Sequence, residues 1–274
     1  MLMKMRNISL LALLLIVAVS CGDYNKIVKS TDYEYKFKKG IEYFEKGEFA
    51  RSGALFHDLL SIYRVSSRAD QVYYYYAKSM MGQSDYLMAT QYFRSLLREQ
   101  PMSKFAEESQ FMIGYASYLM SPKPLLDQQT TINAIEAFQL YVNLYPFSDR
   151  VDEAHRLIDE LRDKLVQKSF LNAKLYYDFE NFKAAVVALE NAVKEYPDSR
   201  YREELLYMLL KSRYFLAVNS VEDKKEVRLS NALDEYFAFV DEFPASKHRR
   251  EANRFYTDIS KLMNYSNRDT NSNE

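Results

Sequence analysis

Residues 195–204 read EYPDSRYREE, and close variants stand at 99–108 (EQPMSKFAEE), 144–153 (LYPFSDRVDE) and 242–251 (EFPASKHRRE). Pro101, Pro146, Pro197 and Pro244 recur at intervals of 45, 51 and 47 residues, a spacing that marks a repeat protein. A fifth variant, IYRVSSRADQ at 62–71, keeps Ser66 but has Arg64 in the proline position. Proline ends the preceding helix, and Ser103, Ser148, Ser199 and Ser246 are expected to cap the amides of the next one. Five helix boundaries are thereby marked.

Counting back from each marker, Ser52, Ala89, Ala134, Ala185 and Ala232 lie twelve residues upstream. Phe56, Phe93, Phe138, Leu189 and Tyr236 lie eight upstream, and Leu59, Leu96, Tyr141, Ala192 and Phe239 five upstream. A small residue followed by bulky ones at four and seven places one helix face against a close neighbour. Gly40, Tyr43, Gly47 and Phe49 in the first copy, with Ala173, Tyr176 and Phe182 in the fourth, extend the pattern, which resembles the tetratricopeptide repeat, a helical hairpin of about 34 residues. The fold expected is all-α: an α-α superhelix of about five such hairpins plus a C-terminal capping helix. The surplus residues are placed in the loop SPKPLLDQQT (121–130) and around NSVEDKKE (219–226). No glycine or proline stands between Asp149 and Phe179, so the fourth hairpin is expected to open with a helix of about 30 residues. A last helix over about 247–263 caps the array.

At the amino end, LLLIVAVSCGDYNK (13–26) holds the only cysteine. The apolar run Ile8–Val19 follows Lys4 and Arg6 and falls short of the roughly 20 residues a membrane span requires. It reads as a secretory signal. AVSC resembles a bacterial lipobox, which implies cleavage between Ser20 and Cys21 and acylation of Cys21; the alternative is a plain signal peptide and a free thiol. The expected organisation is signal peptide 1–20, tether 21–32, repeats one to three over 33–145, repeats four and five with the capping helix over 146–264, and a disordered tail 265–274.

Charge is nearly balanced, 37 basic against 38 acidic residues, so no bulk attraction to nucleic acid is indicated. His57, His155 and His248 stand far apart without a second ligand at metal spacing, and no glycine-rich phosphate loop or GxSxG elbow occurs. An enzyme is not expected, and neither cofactor nor metal is implied. Tyr73–Tyr76 would need a basic groove to serve as a nucleic-acid stacking platform. Tyr73 and Tyr76 fall instead at inter-helix packing positions.

The lipobox joined to five tetratricopeptide-like hairpins resembles the BamD family, outer-membrane lipoproteins of the β-barrel assembly machinery. The likeness is densest from LYPFSDRVDEAHRL to EYPDSRYREEL, where a long helix joins two YPxS boundaries. The resemblance implies a non-catalytic scaffold held to the outer membrane by its lipid and facing the periplasm. Its implied partners are the periplasmic domains of BamA, other lipoproteins of that machinery and unfolded barrel precursors. The half from about Asp149 to Met263, with its clusters EDKKEVR and KHRRE, is expected to meet BamA. In tetratricopeptide arrays the first helix of each hairpin lines the concave surface. Carrying those offsets over selects Phe37, Ile41, Phe44, Gln71, Tyr74, Lys78, Met81, Phe111, Tyr115 and Tyr118 as a peptide-binding groove, with Lys78 set to pair with a terminal carboxylate. The same positions also suit packing between repeats. Alternative roles are a periplasmic adaptor for peptidoglycan synthesis or envelope constriction and, in another class, a surface lipoprotein for glycan capture.

Overall fold

The computed structural model describes the backbone of residues 24–271 and the side chains through residue 264. Ser20 and Cys21 lie outside the described residues. After a short helix over 24–29, the chain forms antiparallel pairs: α1 (Tyr33–Glu45) with α2 (Phe49–Tyr63), α3 (Ala69–Gly82) with α4 (Tyr86–Glu99) and α5 (Ala106–Met120) with α6 (Gln129–Leu144). Then come α7 (Val151–Asp178) with α8 (Phe182–Glu195), α9 (Arg202–Val218) with α10 (Glu222–Glu242), and a last helix, α11 (Arg249–Asn271). No strand occurs among the described residues. Two compact units result: unit 1 comprises the chain through Pro122 with Gln128–Leu161, and unit 2 comprises Lys123–Asp127 with Arg162 onward. The dividing point lies inside α7.

The face read from the repeats is the core. Ser52, Ala89, Ala134, Ala185 and Ala232 are fully buried, as are Phe56, Phe93, Phe138, Leu189, Leu59, Leu96, Tyr141 and Phe239. The small positions mark the closest approach of paired helices: the Ser52 hydroxyl donates to the Gly40 carbonyl at 2.9 Å. A methyl on Gly114 would stand 2.7 Å from the Phe138 ring, so only hydrogen fits there.

The repeat junctions explain themselves residue by residue. Gln100, Tyr145, Tyr196 and Phe243, each before a proline, leave the helix with φ of −137°, −128°, −130° and −125°. Proline's ring excludes the α region for its predecessor. Tyr63, which precedes Arg64 in the copy without proline, stays within the helix, and Arg64 follows in the α region at φ −48°, ψ −40°. The serines are not helix caps. Each hydroxyl accepts from the N–H two residues on, in the turn before the helix: Ser66 from Arg68 at 3.2 Å, Ser103 from Phe105 at 3.1 Å, Ser148 from Arg150 at 3.2 Å, Ser199 from Tyr201 at 3.1 Å and Ser246 from His248 at 3.0 Å. Each serine carbonyl also accepts from the residue three on, and that turn delays the helix past the serine's reach.

Three other stretches are more regular than the sequence suggests. Within the segment expected as a tether, 21–32, residues 24–29 are helical and seated: Ile27 is buried, and the Lys36 ammonium donates to the Val28 carbonyl at 2.8 Å. The surplus around 219–226 is largely helical: residues 222–226 open α10, and the extra length of the fifth repeat is carried by α9 and α10, at 17 and 21 residues. Helix α11 continues to Asn271, into the stretch expected to be tail, because neither proline nor glycine interrupts it. Helix α7, at 28 residues, matches its expected length.

Candidate functional site: the first-helix face and its ring clamps

The turn that the serine organises delivers its partner residue onto an aromatic ring of the preceding first helix. Arg68 lies over Phe37 with its guanidinium carbon 5.3 Å from the ring centre, and Phe105 stacks on Tyr74 at 4.2 Å. Arg150 covers Phe111 at 3.3 Å, Tyr201 stacks on Phe170 at 4.3 Å and His248 stacks on Tyr207 at 3.7 Å. Three of these pairs are 31 positions apart; the others are 39 and 41 apart, because one spans the 121–128 loop and one spans the lengthened α9–α10 pair. All five junctions are thus closed by one device, a ring covered by a flat group.

This device places the ten sequence-selected residues. Phe37, Tyr74 and Phe111 are buried under Arg68, Phe105 and Arg150, and pack between repeats. Ile41, Phe44, Gln71, Lys78, Met81, Tyr115 and Tyr118 remain half-exposed. Phe44 meets Phe49 and Tyr75 edge-on at 5.6 and 5.4 Å. Phe111, Tyr115 and Tyr118 form a ladder of near-parallel rings spaced 6.2 and 6.0 Å, and the Tyr118 hydroxyl donates to Glu160 at 2.8 Å. Tyr75, not selected from sequence, belongs to the same surface, stacked 5.4 Å from Phe56.

The polar centre of the face is Glu108. Its carboxylate accepts the Tyr74 hydroxyl at 2.5 Å and the Lys78 ammonium at 2.8 Å. Burial pushes the Glu108 carboxyl up, but the bonds from Lys78 and Tyr74 outweigh it and hold the carboxyl below its usual range. Burial, and then the bond to Glu108, pushes the Tyr74 phenol far up. Lys78 therefore already pairs with an internal carboxylate, whose negative charge an incoming one would meet. Glutamate stands seven residues after each of the four prolines, as Glu108, Glu153, Glu204 and Glu251; the distinguishing signal is a tyrosine and a lysine four apart on the preceding first helix, Tyr74 and Lys78 for Glu108 and Tyr207 and Lys211 for Glu251.

Unit 2 repeats the arrangement. Tyr207 donates to Glu251 at 2.6 Å and Lys211 to the same carboxylate at 3.2 Å, four residues separating tyrosine from lysine as in Tyr74 and Lys78. His248 sits 3.0 Å from Glu204 through Nε2. Beside Lys211 opens a cleft of about 610 Å³, lined by Tyr177, Asp178, Glu180, Phe182 and Phe215. His57 and His155 are exposed, and among the described residues no group of His, Cys, Asp or Glu is placed to hold a metal ion. No helix among them is long and apolar enough to cross a membrane.

Hairpins paired through small residues and closed by clamped rings define a tetratricopeptide-like repeat protein. The family described as "YfiO: Outer membrane lipoprotein" matches residues 30–229, and the chain belongs to that family of outer-membrane lipoproteins. It is 23% identical over 247 residues to the "Putative outer membrane protein assembly factor BamD" of Aquifex aeolicus (strain VF5), covering 89% of this chain and 80% of that protein. Among solved structures it is similar to a TPR-repeat protein from Bacteroides fragilis NCTC 9343 at 13% identity, with a TM-score of 0.42 and coverage of 85% and 100% of the two chains. It is also similar to the TPR2AB domain of yeast Sti1 in its pHSP90 complex at 14% identity, with a TM-score of 0.38 and coverage of 83% and 98%.

Proposed function

We propose that the protein is a non-catalytic scaffold of outer-membrane β-barrel assembly, acylated at Cys21 and facing the periplasm. The observation that carries this reading is the family match over residues 30–229, joined to a BamD-named relative that spans 89% of the chain. Unit 1 receives unfolded barrel precursors on the half-exposed surface of Ile41, Phe44, Met81, Tyr115 and Tyr118. These apolar and aromatic side chains of first helices are half-exposed, and contacts of that kind suit an extended apolar segment. Recognition there rests on aromatic contact more than on Lys78, which Glu108 occupies. The half from Asp149 to Met263 engages BamA, and other lipoproteins of the machinery join the same complex.

Affinity capture of the intact protein from envelope extracts is the test: BamA should co-purify. Recovery of cell-wall synthases without BamA would replace this reading with the peptidoglycan adaptor. Mass spectrometry of the mature amino terminus tests the anchor separately, the expected species being an acylated Cys21 with residues 1–20 removed. Tyr115→Ala with Tyr118→Ala should weaken precursor-peptide binding while leaving BamA capture unchanged.

A further inference from the structure

Between Cys21 and Tyr24 the chain has three Cα steps, which reach about 11 Å at full extension. Tyr24 is already seated on unit 1. Its ring meets Tyr43 edge-on at 5.6 Å, the Arg51 guanidinium carbon lies 5.4 Å from its centre, and its hydroxyl donates to the Arg51 carbonyl at 3.4 Å. Tyr43 and Arg51 flank the turn that joins α1 to α2. From there the 24–29 helix runs back along the hairpin, burying Ile27 and bringing Val28 to Lys36, near the start of α1. The amino end therefore leaves unit 1 at its hairpin-turn edge. The second hairpin turn shares that edge, because the Gln83 side chain donates to the Phe49 carbonyl at 3.2 Å. Exposed there are Lys46 and, at 70%, Leu87.

We propose that this edge of unit 1, carrying exposed Leu87 beside the ion pairs Lys46–Glu42 and Arg51–Glu48, rests against the lipid headgroups of the membrane that holds the acyl chains. The inference depends on acylation of Cys21. It follows from length: a lipid at residue 21 cannot stand the seated Tyr24 farther from the bilayer than those three steps allow. The opposite edge, where the repeat junctions lie, is removed by the length of α2, 15 residues or about 22 Å. That edge carries the more conspicuous apolar residues, Val65, Met102 and Phe147, each at least 95% exposed, so apolarity alone would choose the wrong side.

Acylation consumes the only thiol, so an introduced cysteine can be labelled alone. Acylated Leu87→Cys and Met102→Cys proteins, each carrying a fluorophore, are reconstituted into phosphatidylethanolamine–phosphatidylglycerol vesicles containing brominated acyl chains. Quenching at least about twofold stronger at position 87 is expected, and a flexible spacer of about a dozen residues inserted after Cys21 should erase the difference. Equal quenching, or stronger quenching at 102, in protein shown by mass to be acylated overturns the inference alone. Protein lacking the acyl mass overturns the anchor reading and this inference with it.

Discussion

In unit 1 the ring over Tyr74 is Phe105, whereas in unit 2 the ring over Tyr207 is His248; beneath each, a tyrosine and a lysine four residues on share one glutamate. The frame is the same and the chemistry at its margins is not. Residues one past the proline position are Val65, Met102 and Phe147 in unit 1 but Asp198 and Ala245 in unit 2. Unit 2 also buries Glu235 against Arg213 Nε, while Arg213 Nη2 reaches Glu190 at 2.6 Å. The difference teaches that the junction device specifies the stacking of repeats and leaves the exposed edge and the second-helix interior open to carry separate tasks.

The comparison breaks most visibly if the units do not melt separately. Phe138 and Leu189 hold the same repeat position, one in each unit, and both are fully buried. Phe138→Ala should cost about 3–5 kcal/mol and Leu189→Ala about 2–5 kcal/mol. Hydrogen exchange should rise in α5 and α6 for the first and in α8 and α9 for the second. Equal acceleration throughout both variants would show one cooperative block instead of two units.

The pH response should separate the units next. Burial, opposed by Arg213, raises the Glu235 carboxyl to about 7. Because its folded value lies above its unfolded one, the folded state holds the proton more tightly. Unit 2 should therefore be most favoured below about pH 4.5 as far as this group is concerned, and lose that contribution as pH rises through about 7. Glu108 and Glu251 act in the opposite sense: both are held below the usual range, so the stability they contribute is present above the unfolded value and lost in acid. Glu235→Gln should flatten the dependence between about pH 4.5 and 7 and stabilise unit 2 at pH 8 by about 1–2 kcal/mol. Urea unfolding followed by a probe in each unit would check it, and a matching change in unit 1 would contradict the assignment.

Much of the fold was legible because the information is local in sequence. A proline restricts the residue before it, and a small residue twelve positions earlier sets how closely two helices approach. The junction serines were legible as to place but not role, since distinguishing a helix cap from a turn acceptor requires knowing where the helix opens. The groove was less legible. Phe37, Tyr74 and Phe111 read as lining because their offsets fit a first helix, yet each is covered by a residue 31 to 39 positions away, beyond any local periodicity. The seated segment 24–29 was hidden for a similar reason: its one buried apolar residue, Ile27, finds its site on a hairpin formed later in the chain.

A sharper probe of the shared glutamate is to remove the phenol alone. Tyr74→Phe and Tyr207→Phe keep the ring stack and lose one hydrogen bond to a charged acceptor, which should cost about 1–2 kcal/mol each after allowance for partial exposure. Near-equal losses would support one frame in two places. If Tyr207→Phe costs much more, the bond from Tyr207 to Glu251 carries more of unit 2 than its counterpart carries of unit 1.

The smallest effect is expected at the serines, and it tests whether the turn itself matters. Ser103 and Ser246 each have a second role, donating to Asp70 and Glu203 at 2.7 Å, while among the described residues the Ser199 hydroxyl makes the turn bond to Tyr201 alone. Ser199→Ala should therefore cost about 0.5–1 kcal/mol, near the net worth of one partly exposed hydrogen bond. Ser103→Ala and Ser246→Ala should each cost more, because a carboxylate loses a donor as well. The local signature is the stack: with the turn loosened, Tyr201 should sample positions away from Phe170, visible as faster ring motion by NMR at unchanged helix content. If Ser199→Ala leaves both stability and Tyr201 mobility unaltered, the covered ring alone aligns the repeats and the serine only accompanies it.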